Sequence, residues 1–134
     1  MSEMPQPKNT PPRIVDAAPT VTPKRFAEAE KKVTENRAML DRNFEPEEVG
    51  KLLGAYTIAS KAAQLVHRPD NRPPRYGIGE KEEIDYRYNL FTDYVSQEFN
   101  IADTSVLNGI HNVTEEYISE QKVVDAYNKQ QQGN

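Results

Sequence analysis

From Pro23 onward the apolar residues recur at helical spacing, and no run alternates apolar and polar positions with the period of two that a strand needs. Thr22 followed by Pro23 marks the first start, a threonine N-cap with proline at a position that needs no N–H. Phe26, Val33 and Leu40 then lie seven residues apart, predicting a helix over about 23–42. Glu30 and Arg37 fall along the same narrow stripe, so this helix is expected to be peripheral. Glu45-Pro46-Glu47-Glu48 marks a second start, with acids at the positive end of a helix dipole. Over 46–67, Val49, Leu52, Leu53, Tyr56, Ala59, Ala63 and Val66 form one face, and Ala55, Ile58, Ala62 and Leu65 form another. Apolar character on two faces predicts two neighbours, which makes this the central element, with Gly50 and Gly54 allowing close approach.

Residues 68–79, RPDNRPPRYGIG, hold three prolines and two glycines and predict a turn-rich connection. A third helix is expected over 80–100, with Ile84, Tyr88, Phe91, Val95 and Phe99 in one row and Tyr86, Leu90 and Tyr94 in a second. The fourth, over 104–129, is capped by Asp103 or Thr104, carries the stripe Val106, Ile110, Val113, Tyr117 and Val124, and ends in a frayed QQQGN. Four such helices predict an all-α protein, an antiparallel four-helix bundle over 23–134. A three-helix core with the first helix on a partner is the alternative.

Residues 1–22 break the pattern. They hold five of the ten prolines and no aromatic residue, with Ile14 and Val15 as their only adjacent large aliphatics. Too little surface can be buried there to offset the entropy of ordering it, so the segment reads as an extended N-terminal arm. Arg13, Ile14 and Val15 would anchor that arm on a partner.

Composition acts mainly by exclusion. The chain of 134 residues has no cysteine, which removes disulfides, thiolate metal sites and cysteine nucleophiles together. No window approaches the roughly 18 apolar residues of a membrane span, and the first residues lack the apolar core of a signal peptide. The expectation is a cytoplasmic protein without membrane contact, free or within an assembled particle. The net charge of −4 is unevenly spread: residues 1–79 carry thirteen basic and ten acidic side chains, net +3, and residues 80–134 carry four and eleven, net −7. That polarity suits oriented docking more than general nucleic-acid binding.

The search for chemistry finds no convergent set. A carboxylate-bridged metal in a bundle needs Glu-x-x-His pairs, but the residues three before His67 and His111 are Gln64 and Asn108. His111 and Glu115 share a helical face, yet two ligands do not make a site. There is no Gly-x-Ser-x-Gly elbow, and Asn112-Val113-Thr114 matches a glycosylation acceptor only on a core-facing stretch. No enzyme activity, cofactor or metal is therefore expected. Two clusters remain. Arg68, Arg72, Arg75 and Tyr76 on the proline-stiffened loop could hold phosphates, and Tyr86, Leu90 and Tyr94 could form a protein interface. The leading expectation is a non-catalytic structural or assembly subunit that docks on other protein subunits, copies of itself included, through its arm and aromatic helix face. A phage or viral particle component has this layout. The alternative is a small nucleic-acid-binding regulator using the arginine loop.

Overall fold

The computed structural model describes residues 20–67 and 78–132, which form four helices: α1 Pro23–Asn43, α2 Pro46–His67, α3 Ile78–Phe99 and α4 Thr104–Gln132. Each boundary has a local cause. Thr22 is extended (φ −82°, ψ 157°), and its Oγ1 accepts the Arg25 N–H at 3.1 Å, so the threonine–proline start works as the sequence suggests. α1 stops at Phe44, where the backbone turns extended while its N–H still donates to the Leu40 carbonyl. The Glu48 carboxylate then reaches back to accept the Glu45 N–H at 2.8 Å, half of a capping box that starts α2. α3 ends where Asn100 adopts φ 55°, a left-handed conformation that asparagine tolerates better than most residues. The Asp103 carboxylate caps α4 by accepting the N–H groups of Ser105 and Val106 at 2.8 and 3.4 Å.

The protein is an antiparallel four-helix bundle assembled from two pairs. α1 lies along α4, with Val21 beside Gln130 at one end and Met39 beside Val113 at the other. α2 lies along α3, with Lys51 beside Glu98 and His67 beside Tyr86. α4, at 29 residues about 43 Å long, joins the pairs: its first half meets all three other helices, and beyond Ile118 the side chains of Glu120 and Tyr127 pair with Arg25 and Phe26 of α1. Among the described residues the backbones of α1 and α3 do not approach one another, and the two helices meet only through side chains in the core.

The core therefore sits at the end where all four helices meet. Leu40, Val49, Leu52, Tyr56, Ala59, Phe91 and Val95 are buried there, with Phe44, Phe99, Ile101, Leu107 and Ile110 packed around them. Phe91 meets Tyr56 edge-on at 5.7 Å, and Phe44 meets Phe99 at 5.5 Å. At the far end the α1–α4 pair is closed separately by the stacked rings of Phe26 and Tyr127, 4.2 Å apart.

Several expectations are corrected by this packing. α2 does supply most of the buried aliphatic side chains, but its second face finds no neighbour: Ile58 is 71% exposed and Leu65 52%. A methyl group added at Gly50 or Gly54 would meet no atom within 4 Å, so these glycines permit no close approach inside the chain. Val66 and Ile84 continue the core rows of α2 and α3 but are exposed, because α4 has by then followed α1. Along α4 the buried line is His111, Thr114 and Glu120; Val106 is exposed and Ile110, Val113, Tyr117 and Val124 are half-buried. The end of α4 is not frayed at Gln130. Its side-chain amide donates to the Val21 carbonyl and accepts the Val21 N–H, both at 3.0 Å, holding the last residues of the expected arm to their own chain.

Candidate interaction face

Of the two rows on α3, Phe91 and Val95 turn into the core and Tyr86, Leu90 and Tyr94 turn away from it. Tyr86 and Leu90 are each 37% exposed; Tyr94 is half-buried against the core edge. The outward row runs beside the uncovered face of α2. Together Gly54, Ala55, Ile58, Ala59, Leu90 and Tyr94 line an open, almost wholly apolar groove of about 380 Å3. Lys51 closes one end by donating to Glu98 Oε2 at 2.8 Å, and this bond raises the affinity of its ammonium for the proton. Six of the eight large hydrophobic side chains exposed among the described residues belong to α2 and α3, which locates the unsatisfied apolar surface on this hairpin.

A second groove, of about 430 Å3, lies at the α1–α4 seam between Met39, Phe44, Val106, Gly109, Ile110 and Val113. It is lined by neighbours of the core, and none of the residues singled out from the sequence for partner binding lies in it.

Behind the outer face is a polar cluster that the sequence reading did not assemble. Glu115 accepts from Tyr56 Oη at 3.2 Å and from Arg87 at 3.1 Å, and the Arg87 guanidinium lies 5.5 Å from the Tyr56 ring centroid. Burial is the main reason that the Tyr56 phenol is pushed up to about 12; Arg87 opposes that shift and Glu115 adds to it. His111 does not bond Glu115. Its Nδ1 lies 3.1 Å from Asn112 Oδ1, and its ring is held among Tyr88, Phe91 and Tyr56 at 4.7, 5.7 and 5.9 Å. A helix, three aromatic rings and a buried imidazole make this a packing joint between α2, α3 and α4. The i, i+4 spacing of His111 and Glu115 was visible in the sequence, but their different partners required the neighbouring helices.

Thr114 in the same joint is fully buried and its hydroxyl has no hydrogen-bond partner. Replacing it with valine keeps the shape and removes an unsatisfied polar atom, so Thr114→Val should stabilise the fold by about 1 kcal/mol in chemical denaturation. A destabilised variant would show that the hydroxyl is satisfied in solution.

The α1–α4 seam has its own ion pair. Arg25 grips Glu120 with two bonds of 2.7 and 3.0 Å, Asn36 donates to Glu116 at 2.9 Å, and Arg37 donates to Tyr117 Oη at 3.3 Å. The hydrogen bonds from Arg25 hold the Glu120 carboxyl below its ordinary value of 4.5. A carboxylate lowered on folding adds stability at pH above the unfolded value, and this is lost as pH falls through the folded value. Wild-type protein should therefore lose more stability than Arg25→Gln between about pH 5 and pH 2. Parallel pH curves for the two proteins would contradict the assignment.

The remaining sequence-derived candidates lie outside the described residues: Arg13, Ile14 and Val15 of the arm, and Arg68, Arg72, Arg75 and Tyr76 of the loop. Among the described residues no group of three His, Asp or Glu side chains could hold a metal ion. None of their helices is long and apolar enough to cross a membrane. In comparisons with protein-family models, curated proteins and solved structures, nothing matches this chain.

Proposed function

We propose that this protein is a non-catalytic assembly subunit that docks on other protein subunits through the outer face of the α2–α3 hairpin, with the N-terminal arm as a second attachment. The observation that carries the reading is the groove beside Leu90. It joins Leu90 and Tyr94 to the uncovered side chain of Ile58, with exposed Tyr86 one turn further along α3, on a hairpin whose opposite side is already used by the core. Tyrosine and leucine beside an open groove offer large contact area with few rotors to immobilise. The arm would add a tethered contact through Arg13, Ile14 and Val15, and tethering raises the effective concentration of even a weak anchor.

The test is size-exclusion chromatography of the complex isolated from the protein's own cells. Wild type should elute with other protein subunits. Leu90→Glu, and separately deletion of residues 1–19, should release the chain, while circular dichroism shows unchanged helix content. If wild type elutes without other subunits, or if both variants remain assembled, the reading is wrong.

A further inference from the structure

We infer that the partner of the α2–α3 face is a second copy of this chain, the two hairpins pairing about a two-fold axis parallel to their helices, so that α2 of each copy lies on α3 of the other. The inference rests on the reading of this face as a docking surface and names what occupies it.

The first reason is unsatisfied pattern. α2 carries apolar residues on two faces, and the fold covers one. The uncovered face has no Cβ at Gly54 and open space in front of it, so another helix could approach the α2 backbone there without moving any atom of this chain.

The second reason is charge, which also selects the arrangement. α2 carries Glu47 and Glu48 in its first turn and Lys51 and Lys61 beyond it, so its formal charges cancel. α3 from Lys81 to Phe99 has five acids, Glu82, Glu83, Asp85, Asp93 and Glu98, against Lys81 and Arg87. A two-fold axis perpendicular to the helices would set α2 on α2 and acidic α3 on acidic α3. An axis parallel to the helices sets the neutral α2 of each copy on the acidic α3 of the other, which keeps acid from facing acid and brings Lys51 and Lys61 to acidic neighbours, and that charge arrangement favours the pairing. Within one chain the pair's register already places Lys51 level with Glu98, and Gly54 and Ile58 beside Tyr94 and Leu90. The parallel axis repeats those levels between copies, so Ile58 meets Leu90 of the second copy and Lys51 comes opposite its Glu98. The contact is isologous and closes at two copies.

The third reason is size. Two 22-residue helices, each about 33 Å long and about 10 Å apart, present roughly 600 Å2 per copy. That matches the lower end of what stable interfaces bury on each side, roughly 600–1,000 Å2, so a dimer with micromolar affinity is expected.

Sedimentation equilibrium of the purified full chain, over roughly the micromolar range, reads this directly. Wild type should dimerise, and Ile58→Glu should weaken dimerisation by more than about tenfold while melting as wild type does at concentrations where both are monomeric, because Ile58 is 71% exposed within one chain. Met39→Glu, in the other groove, should dimerise as wild type does. Because the chain has no cysteine, single Ile58→Cys and Leu90→Cys variants each carry one unique thiol. A short bis-maleimide should link Ile58→Cys to Leu90→Cys in a mixture faster than it links either variant to itself. A monomer throughout the range overturns the inference, as does a dimer broken by Met39→Glu and not by Ile58→Glu, or self-linking of Ile58→Cys as the faster reaction. A monomeric chain that still needs Leu90 in its native complex leaves the docking face standing and removes only the second copy. A dimer found without any larger assembly keeps the second copy on this face and removes only the role in a larger complex.

Discussion

Phe91→Ala should lower the free energy of unfolding by about 3–5 kcal/mol, and Tyr86→Ala, five residues earlier on the same helix, by well under half of that. Phe91 is fully buried and its ring touches both Tyr56 and His111. Truncation removes the transfer energy of a whole aromatic ring and leaves a cavity at the point where α2, α3 and α4 converge, a place that cannot collapse without moving three helices. At this chain length the loss corresponds to a fall in melting temperature of roughly 10–20 °C. Tyr86 keeps more than a third of its surface in water and has the His67 ring as its edge-on neighbour at 5.6 Å, so much of what alanine removes was never desolvated. Equal losses at the two positions, measured by urea unfolding at low protein concentration, would mean that both rows of α3 are buried.

The second large effect is a contrast between neighbours on α2. Leu52→Ala should cost about 2–5 kcal/mol, and Leu53→Ala about 1–2 kcal/mol. Leu52 is fully buried within the cluster of Val49, Tyr56, Phe91 and Val95, whereas Leu53 is half-buried against its edge. One residue is 100° of helix rotation, so the pair reads the rotational setting of α2 about its own axis. Reversal of the two costs would require α2 to be rotated toward Leu53, which would turn the exposed Thr57 inward.

Helix type and extent were legible in the chain because they depend on near neighbours. Thr22-Pro23, Glu45-Pro46 and Asp103 act within four residues of themselves, and each starts a helix in the structure as it does in the pattern. Rows at three and four residue spacing mark candidate faces for the same reason. The Tyr86, Leu90 and Tyr94 row was visible in this way, and so was the double apolar character of α2. Whether a row is used was not visible. Ile84 and Phe91 share a row by spacing, yet Ile84 is 44% exposed and Phe91 fully buried. The difference lies in the path of α4, which leaves α3 to follow α1.

Three features of the protein came from the tertiary structure alone. Glu120 is buried although acids seldom are, because Arg25, ninety-five positions away in the chain, supplies two charge-assisted bonds. Gln130, in a tail whose composition suggests fraying, is held by the backbone of Val21 across the α1–α4 seam. The second face of α2 predicts a neighbour, and the chain leaves Ile58 and Leu65 in water. By itself the sequence determined four helices, their caps and their apolar rows, all properties of residues a turn or less apart. Which rows meet, and which stay open, was decided by how a long fourth helix divides its contacts between α1 and the α2–α3 hairpin, and that is a balance among residues dozens of positions apart.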